Sequence, residues 1–141
     1  MAFDSYSICP CGTGKKIKFC CPELLGELEQ LDRLVEGDQT EAALEQVIRL
    51  LEKHPKKACL LATRTKLELA TKRFNEAAVT SRAFLEAYPD NPLALGHAAV
   101  SAALVDNMQE AANFFDRSRE LVGDEVPVSY THLRAHETTC H

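Results

Sequence analysis

The sequence lacks several features that would place it in a common class of enzyme or membrane protein. Its 141 residues contain no Trp and only 6% aromatic residues. The phosphate-binding G-x-x-x-x-G-K-[ST], the Rossmann glycine pattern and the H-E-x-x-H motif are all missing. No apolar run approaches the ~18 residues that a transmembrane helix needs, and the start, MAFDSYS, is not a secretory signal. We therefore expect one ordinary domain in the cytoplasm, without catalytic activity of its own.

Charge is divided unevenly along the chain, whose formal net charge is −5. Residues 1–22 have a net charge of +2, whereas residues 23–126 have a net charge of −7. The basic side chains of the N-terminal segment are Lys15, Lys16 and Lys18. An acidic body argues against broad, non-specific binding of nucleic acid. Any contact with phosphate groups would therefore have to come from the three lysines.

Cysteines are few but concentrated, because four of the six fall in one short stretch. These four are Cys9, Cys11, Cys20 and Cys21. In a cytosolic chain, clustered cysteines indicate a metal site more often than disulfides. Adjacent Cys20 and Cys21 would be strained if bonded to each other, and the C-x-x-C of thiol redox sites is missing. Four thiolates complete the tetrahedral shell of one structural zinc ion and leave no open position for catalysis.

The residues between these cysteines suit such a site. Gly12 and Gly14 permit the turns that bring the two cysteine pairs together. Four thiolates and a dication have a net charge of about −2, which the three lysines would offset. A segment this short has no core of its own, so metal binding would supply its folding free energy.

This spacing, C-x-C-G-x-G-K-K-x-K-x-C-C over residues 9–21, closely resembles the SEC-C motif. That motif is the small zinc-binding element at the C-terminus of the Sec translocase ATPase, and it is appended to many other bacterial proteins. The resemblance implies the same four cysteines as ligands, with Ile17 where an aromatic residue is frequent. It does not carry over the export chaperone or the lipid headgroups that the translocase element contacts, because the ATPase itself is absent.

Helical periodicity runs through the body of the chain. Leucines from Leu24 onward predict a first helix that ends at Gly37, and Thr40 is the predicted cap of a second helix that ends at His54-Pro55. Further helical patterns cover 57–71, 74–87, 91–105 and 108–122. The short connections predict antiparallel neighbours. The expected fold is all-α: antiparallel helical hairpins preceded by a small zinc knuckle.

A repeat is visible within the helical body. Thr40-Glu41-Ala42-Ala43 recurs from Asn75 and again, at nearly the same spacing, from Gln109, and His54-Pro55 recurs as Tyr88-Pro89. A helix pair that recurs at this spacing, with small Ala residues where the two helices cross, resembles the tetratricopeptide repeat. The alternative is a generic array of helical hairpins. The positions that match the packing pattern in the third pair are Leu95, Ala98, Ala99, Ala102, Ala111 and Phe115.

The repeat resemblance implies about three helix pairs over 23–126, whose first helices line a groove for a peptide or protein segment. Candidate groove residues are Arg64, Lys66 and His97, although packing is the commoner role for a histidine placed like His97. Cys59, in an apolar helical stretch, is interpreted as a buried small apolar residue.

The tail 127–141 has no relation to the repeat and resembles the translation of an adapter used in transposase-based sequencing libraries. We interpret it as non-native, against the alternative of a natural polar tail, and expect the native chain to continue with more repeats. The residues that would then not be metal ligands are His132, His136, Cys140 and His141.

The function expected from these features is that of a zinc-binding, helical-repeat module for protein–protein interaction, forming part of a longer protein. One alternative is contact with nucleic acid or the ribosome through the lysines and Phe19 of the knuckle. Another is the regulatory N-terminal part of an enzyme whose catalytic domain is missing.

Overall fold

The computed structural model describes residues 4–122, and this part of the chain is built of helices. Two 3-10 turns, Ile17–Phe19 and Pro22–Leu24, precede six α-helices. The helices are α1 (Leu25–Glu36), α2 (Thr40–Lys53), α3 (Ala58–Ala70), α4 (Phe74–Ala87), α5 (Pro92–Leu104) and α6 (Met108–Val122). No strand occurs within 4–122, where one isolated bridge joins Ile8 and Lys16. The all-α prediction is confirmed, and the limits of α3 to α6 agree closely with the predicted ones.

Consecutive helices pack against each other along the whole array, and α3 also contacts α5. This pattern of contacts agrees with the predicted succession of helical hairpins. None of the helices described is long and apolar enough to cross a membrane.

The turn inside each helix pair has the same backbone conformation. Asp38, Lys72 and Asp106, which are equally spaced along the chain, have positive φ values of 59°, 62° and 62°. The amide that follows each of them donates, at 2.8 Å, to a carbonyl near the end of the preceding helix; these bonds join Gln39 to Leu34, Arg73 to Glu68 and Asn107 to Ala102. This is the left-handed closure that satisfies the last carbonyls of a helix. The repeat in the sequence therefore accompanies a regular repeat of the backbone, while the family resemblance itself stays a prediction.

The predicted end of α1 is confirmed, whereas the predicted cap at the start of α2 is wrong. Gly37 is the C-cap of α1, as expected. Thr40, however, is the first residue of α2, and the N-cap is Gln39, which makes no side-chain capping bond. The cap prediction was wrong because the left-handed turn at Asp38 already sets where α2 begins.

One hydrophobic core connects the cysteine segment with the helices. It includes Ile17, Leu24, Leu60 and Phe84, which are at most 2% exposed. The predicted boundary after residue 22 thus falls within a 3-10 turn that leads directly into α1.

Most of the packing positions predicted for the third helix pair are buried. Five of the six are buried, namely Leu95, Ala98, Ala99, Ala102 and Ala111. Phe115 is 48% exposed, on the helix that packs against α5 at the end of the described part. The tail 127–141 and its His and Cys residues lie outside the described residues.

Candidate metal centre

The cysteines are brought together by a loop and a turn. Hydrogen bonds from Cys9 N to Lys15 O and from Ile17 N to Ser7 O, both 2.8 Å, close the loop that contains the first two cysteines. Within it, Gly12 and Gly14 have φ values of 87° and 79°, a region that favours glycine. The two glycines therefore make the turns expected of them.

The second pair of cysteines follows the 3-10 turn Ile17–Phe19. The amides of Cys20 and Cys21 both donate to Ile17 O, at 3.0 and 2.9 Å. Because the Ile17 side chain is fully buried, it anchors the turn that presents these two sulfurs. Ile17, which stands where the SEC-C motif frequently has an aromatic residue, is therefore a core residue here.

The sulfur atoms are close enough to share a metal ion. Those of Cys9, Cys20 and Cys21 all lie within 4.8 Å of one another, and the Sγ atoms of Cys20 and Cys21 are 3.6 Å apart. Cys11 Sγ stands beside this trio, 3.2 Å from Cys20 Sγ. Sulfurs that surround zinc tetrahedrally at about 2.3 Å lie about 3.8 Å apart. Cys9, Cys20 and Cys21 are therefore close enough to hold a metal ion, whereas Cys11 approaches Cys20 but lies outside this mutually close group.

Most of the site is buried, and burial changes the acidity of its thiols. Cys9, Cys11 and Cys21 are at most 3% exposed. Burial raises the pKa of Cys9 and Cys21. Burial also acts to raise the pKa of Cys11, but hydrogen bonds from Thr13, 3.0 Å away, and from Cys20 bring it below its ordinary value. A cation that binds here must therefore displace protons, since metal ligation requires the thiolate form.

A fifth cysteine joins the cluster from the helical array. Cys59, near the start of α3, is fully buried, as predicted. Its thiol lies near that of Cys21, since each affects the pKa of the other, and burial raises the pKa of Cys59 to about 12. Sequence reasoning missed this neighbour because Cys59 is far from Cys21 along the chain and only the packing of α3 brings the two together.

The loop that contains Cys9 and Cys11, called the metal loop below, is fixed to the N-terminus of α5. Asn91 Nδ2 donates to Cys11 O at 2.7 Å, while Asn91 Oδ1 accepts from Leu93 N and Ala94 N and so caps the helix. A Cβ on Gly12 would lie 2.4 Å from Leu93 Cβ. Only glycine permits this approach, which no local sequence pattern indicates.

The three lysines are exposed at the edge of the loop, and two of them lie over aromatic rings. Lys18 Nζ is 4.5 Å from the Tyr6 ring centroid and 4.8 Å from that of Phe19, and Lys16 Nζ is 5.5 Å from Tyr6. Both aromatic residues are largely exposed, at 62% for Tyr6 and 68% for Phe19. Lys15 contributes its carbonyl to the loop. Sequence reasoning did not identify Tyr6.

A cavity of about 590 Å³ lies between the metal loop and the first helix of each pair, α1, α3 and α5. Its lining is mainly apolar, with Asp32, Lys66 and His97 among its polar residues. Burial, and then the charge of Lys66, lower the pKa of His97, whose Nδ1 has no hydrogen-bond partner among the described residues. Arg64 lies outside this lining and pairs through Nε with Glu68 Oε2 at 3.1 Å.

Fold and site together define an all-α protein with a buried thiol cluster that can hold a metal ion. The chain matches no protein-family model and no curated protein. The resemblances to the SEC-C motif and the tetratricopeptide repeat therefore stay predictions carried by the residues quoted above.

Proposed function

We propose that this protein is a zinc-binding interaction module. One structural zinc ion is held by Cys9, Cys11, Cys20 and Cys21, and the face formed by α1, α3 and α5 binds a protein or peptide segment. The observation that carries the proposal is the shared wall: Cys9, Pro10 and Gly12 of the metal loop also line the cavity. The metal would thereby fix one side of the binding surface.

Zinc is favoured over other metals by the donor set. Thiolates are soft ligands and four of them suit a tetrahedral ion, whereas calcium and magnesium require oxygen. Four cysteine ligands fill the shell, which supports a structural role and not a catalytic one. When bound, zinc supplies the positive charge that allows four thiolates to lie together in a largely buried site.

Metal content tests the zinc part of the proposal. The full chain, purified without chelator, should contain about one zinc per molecule, and Cys20→Ser should lose it. Thr80→Ser, a conservative change in α4 away from the cluster, is the matched control and should keep the metal. Fewer than about half an equivalent in the unaltered protein would contradict the proposal.

The cavity supports the interaction part. Pockets that accept ligand groups usually measure about 300–1,000 Å³ and are apolar with a few polar residues, as this one is. Its volume suits large side chains of a bound peptide, while Lys66 offers a cation to a carboxylate and His97 an unpaired ring nitrogen. The solvent-exposed residue Val35 lies at its edge.

Peptides selected from a displayed library against the full chain test this surface. We expect Val35→Asp or Lys66→Ala to weaken binding of the selected peptides by about tenfold or more, the effect of losing a central contact. Val79→Asp is the control, because Val79 is 71% exposed on α4 and does not line the cavity. Equal loss with Val79→Asp would argue against the cavity as the binding site.

A second candidate function is favoured by the exposed rings beside the lysines. Single-stranded nucleic acid binds proteins by stacking bases on aromatic side chains while cations contact phosphates, and Tyr6, Phe19 and Lys18 offer both. An unstructured RNA oligonucleotide should then bind in a salt-dependent manner. The triple change of Lys15, Lys16 and Lys18 to Ala should reduce the affinity and the salt dependence. Binding that is insensitive to it would exclude this function.

A further inference from the structure

The first helices of the three pairs present equivalent positions to the cavity. Thr63 of α3 and His97 of α5 are separated by the same interval as the regular left-handed turns, and both line the cavity. Asp32 of α1 and Lys66 of α3 are related by the same interval and also line it. Two independent sets of equivalent positions therefore face one side of the array.

The position on α5 that is equivalent to Asp32 and Lys66 is Val100. It lies one helical turn after His97 and therefore on the same face of α5. Val100 is 41% exposed, and Leu104, a further turn along, is 45% exposed. The face formed by α1, α3 and α5 thus presents an acid on α1, a base on α3 and an apolar pair on α5.

The two charges are available to a partner. Asp32 and Lys66 are the only carboxylate and ammonium among the described residues that line the cavity. Neither belongs to an ion pair within residues 4–122. After burial, the charge of Lys66 is the second cause that lowers the pKa of His97, so this charge acts as far as the α5 wall. A few fixed polar groups in an apolar pocket set the orientation of what binds there.

We propose that the partner of this face is a peptide segment with three side chains in a fixed order: a basic one for Asp32, an acidic one for Lys66, and an apolar one for Val100 and Leu104. The inference rests on the peptide-binding face proposed above and specifies the chemistry of its partner. Charge complementarity fixes the register of a complex, and like charges brought together exclude wrong partners. A polyanion such as RNA has no cation for Asp32, so this order favours a peptide.

The test exchanges the charges on both molecules. Random linear peptides displayed on phage are selected against the full chain, and one whose binding is weakened by Val35→Asp is synthesised. A second peptide has its acidic and basic residues exchanged. The protein is prepared unaltered and with the double change Asp32→Lys and Lys66→Glu, which keeps the net charge. The unaltered protein should bind the selected peptide about tenfold more tightly than the exchanged peptide, and the double variant should show the opposite preference.

Matched controls place the same kinds of change elsewhere. Asp116→Lys with Arg119→Glu exchanges an exposed ion pair on α6 that does not line the cavity, and it should leave both affinities unchanged. Val100→Asp should weaken the selected peptide by about tenfold, the effect of losing a well-packed contact. Val79→Asp, on α4 and 71% exposed, should not weaken it.

Three results would overturn the inference. They are a selected peptide that lacks either charge, equal affinity of the two peptides for the unaltered protein, and the same preference in the double variant. The first two need no altered protein, so they do not depend on how a variant folds. In each case binding that is still weakened by Val35→Asp would leave the proposed function intact. If no selected peptide depended on Val35, the proposed function would fail together with the inference.

Discussion

The cysteine segment and the helical array are stabilised in different ways. Residues 4–24 contain two 3-10 turns and one isolated bridge, and their buried side chains are mostly cysteines, with Ile17 and Leu24. The array repeats one backbone closure at regular intervals and buries leucine and alanine between neighbouring helices. The array can therefore gain stability from many similar local contacts, whereas the proposed metal would hold the thiols of the segment together.

The junction between the two regions combines the shared hydrophobic core with three specific contacts. Asn91 connects α5 to Cys11, Gly12 allows Leu93 to approach, and Cys59 brings α3 to Cys21. This difference predicts which of the two regions each substitution should destabilise. Changes at the metal should affect the segment first, and changes at the junction should affect both regions.

Removal of one ligand should have the largest effect. Structural zinc sites contribute roughly 10–16 kcal/mol of apparent binding free energy to folding, so loss of the metal in Cys20→Ser should remove much of the stability of the cysteine segment. Hydrogen exchange should then lose its protection at the loop amides of Cys9 and Ile17, while amides of α4 and α5 keep theirs. Equal loss throughout the array would mean that the two regions fold as one cooperative unit.

Substitution of Gly12 should destabilise the junction next most strongly. Gly12→Ala adds both left-handed strain and a Cβ 2.4 Å from that of Leu93. We expect a loss of about 2–4 kcal/mol in the free energy of unfolding, measured with urea in the presence of zinc. Gly14→Ala is the matched control. Its φ is also positive, but its Cβ would meet nothing within 4 Å, so about 1–2 kcal/mol is expected. Equal losses for Gly12→Ala and Gly14→Ala would show that the close approach to Leu93 does not contribute to the free energy of unfolding.

Two substitutions at Asn91 separate its two roles. Asn91→Ala removes the helix cap and the bond to Cys11 O, for which we expect a loss of about 1–3 kcal/mol. Asn91→Asp retains a capping acceptor but cannot donate to Cys11 O, so it isolates the junction bond. Urea unfolding with and without zinc measures both. If Asn91→Asp behaves like the unaltered protein in each condition, the bond to Cys11 does not couple the regions.

The smallest predicted effect is a pH dependence from His97. Burial and the charge of Lys66 hold the pKa of His97 below its value in the unfolded state. At pH values between these two pKa values, the unfolded state therefore binds more protons than the folded state. The contribution of His97 to stability is therefore complete above about pH 6.5 and falls as the pH drops below it. His97→Gln should unfold with a weaker pH dependence in this range. A difference of opposite sign would contradict the assignment.

Much of the fold was predictable because its signals are local and periodic. The leucine spacing in α1, the stop at Gly37 and the limits of α3 to α6 follow from helical periodicity and short connections. The predicted cap at Thr40 was wrong because backbone closure at Asp38 takes precedence over side-chain preference.

The candidate site was predictable only as far as its chemistry lies in one short segment. The spacing of Cys9, Cys11, Cys20 and Cys21 predicts a ligand set without tertiary information, and the structure brings three of them, Cys9, Cys20 and Cys21, close together. Cys59 and Asn91 reach the site through packing between distant segments, which periodicity does not encode.

X-ray absorption at the zinc edge of the full chain tests the central claim most directly. A site made of Cys9, Cys11, Cys20 and Cys21 predicts four sulfur scatterers at about 2.3 Å and no lighter ligand. Three sulfurs with a nitrogen or oxygen neighbour at a clearly shorter distance, or no zinc signal at all, would contradict it.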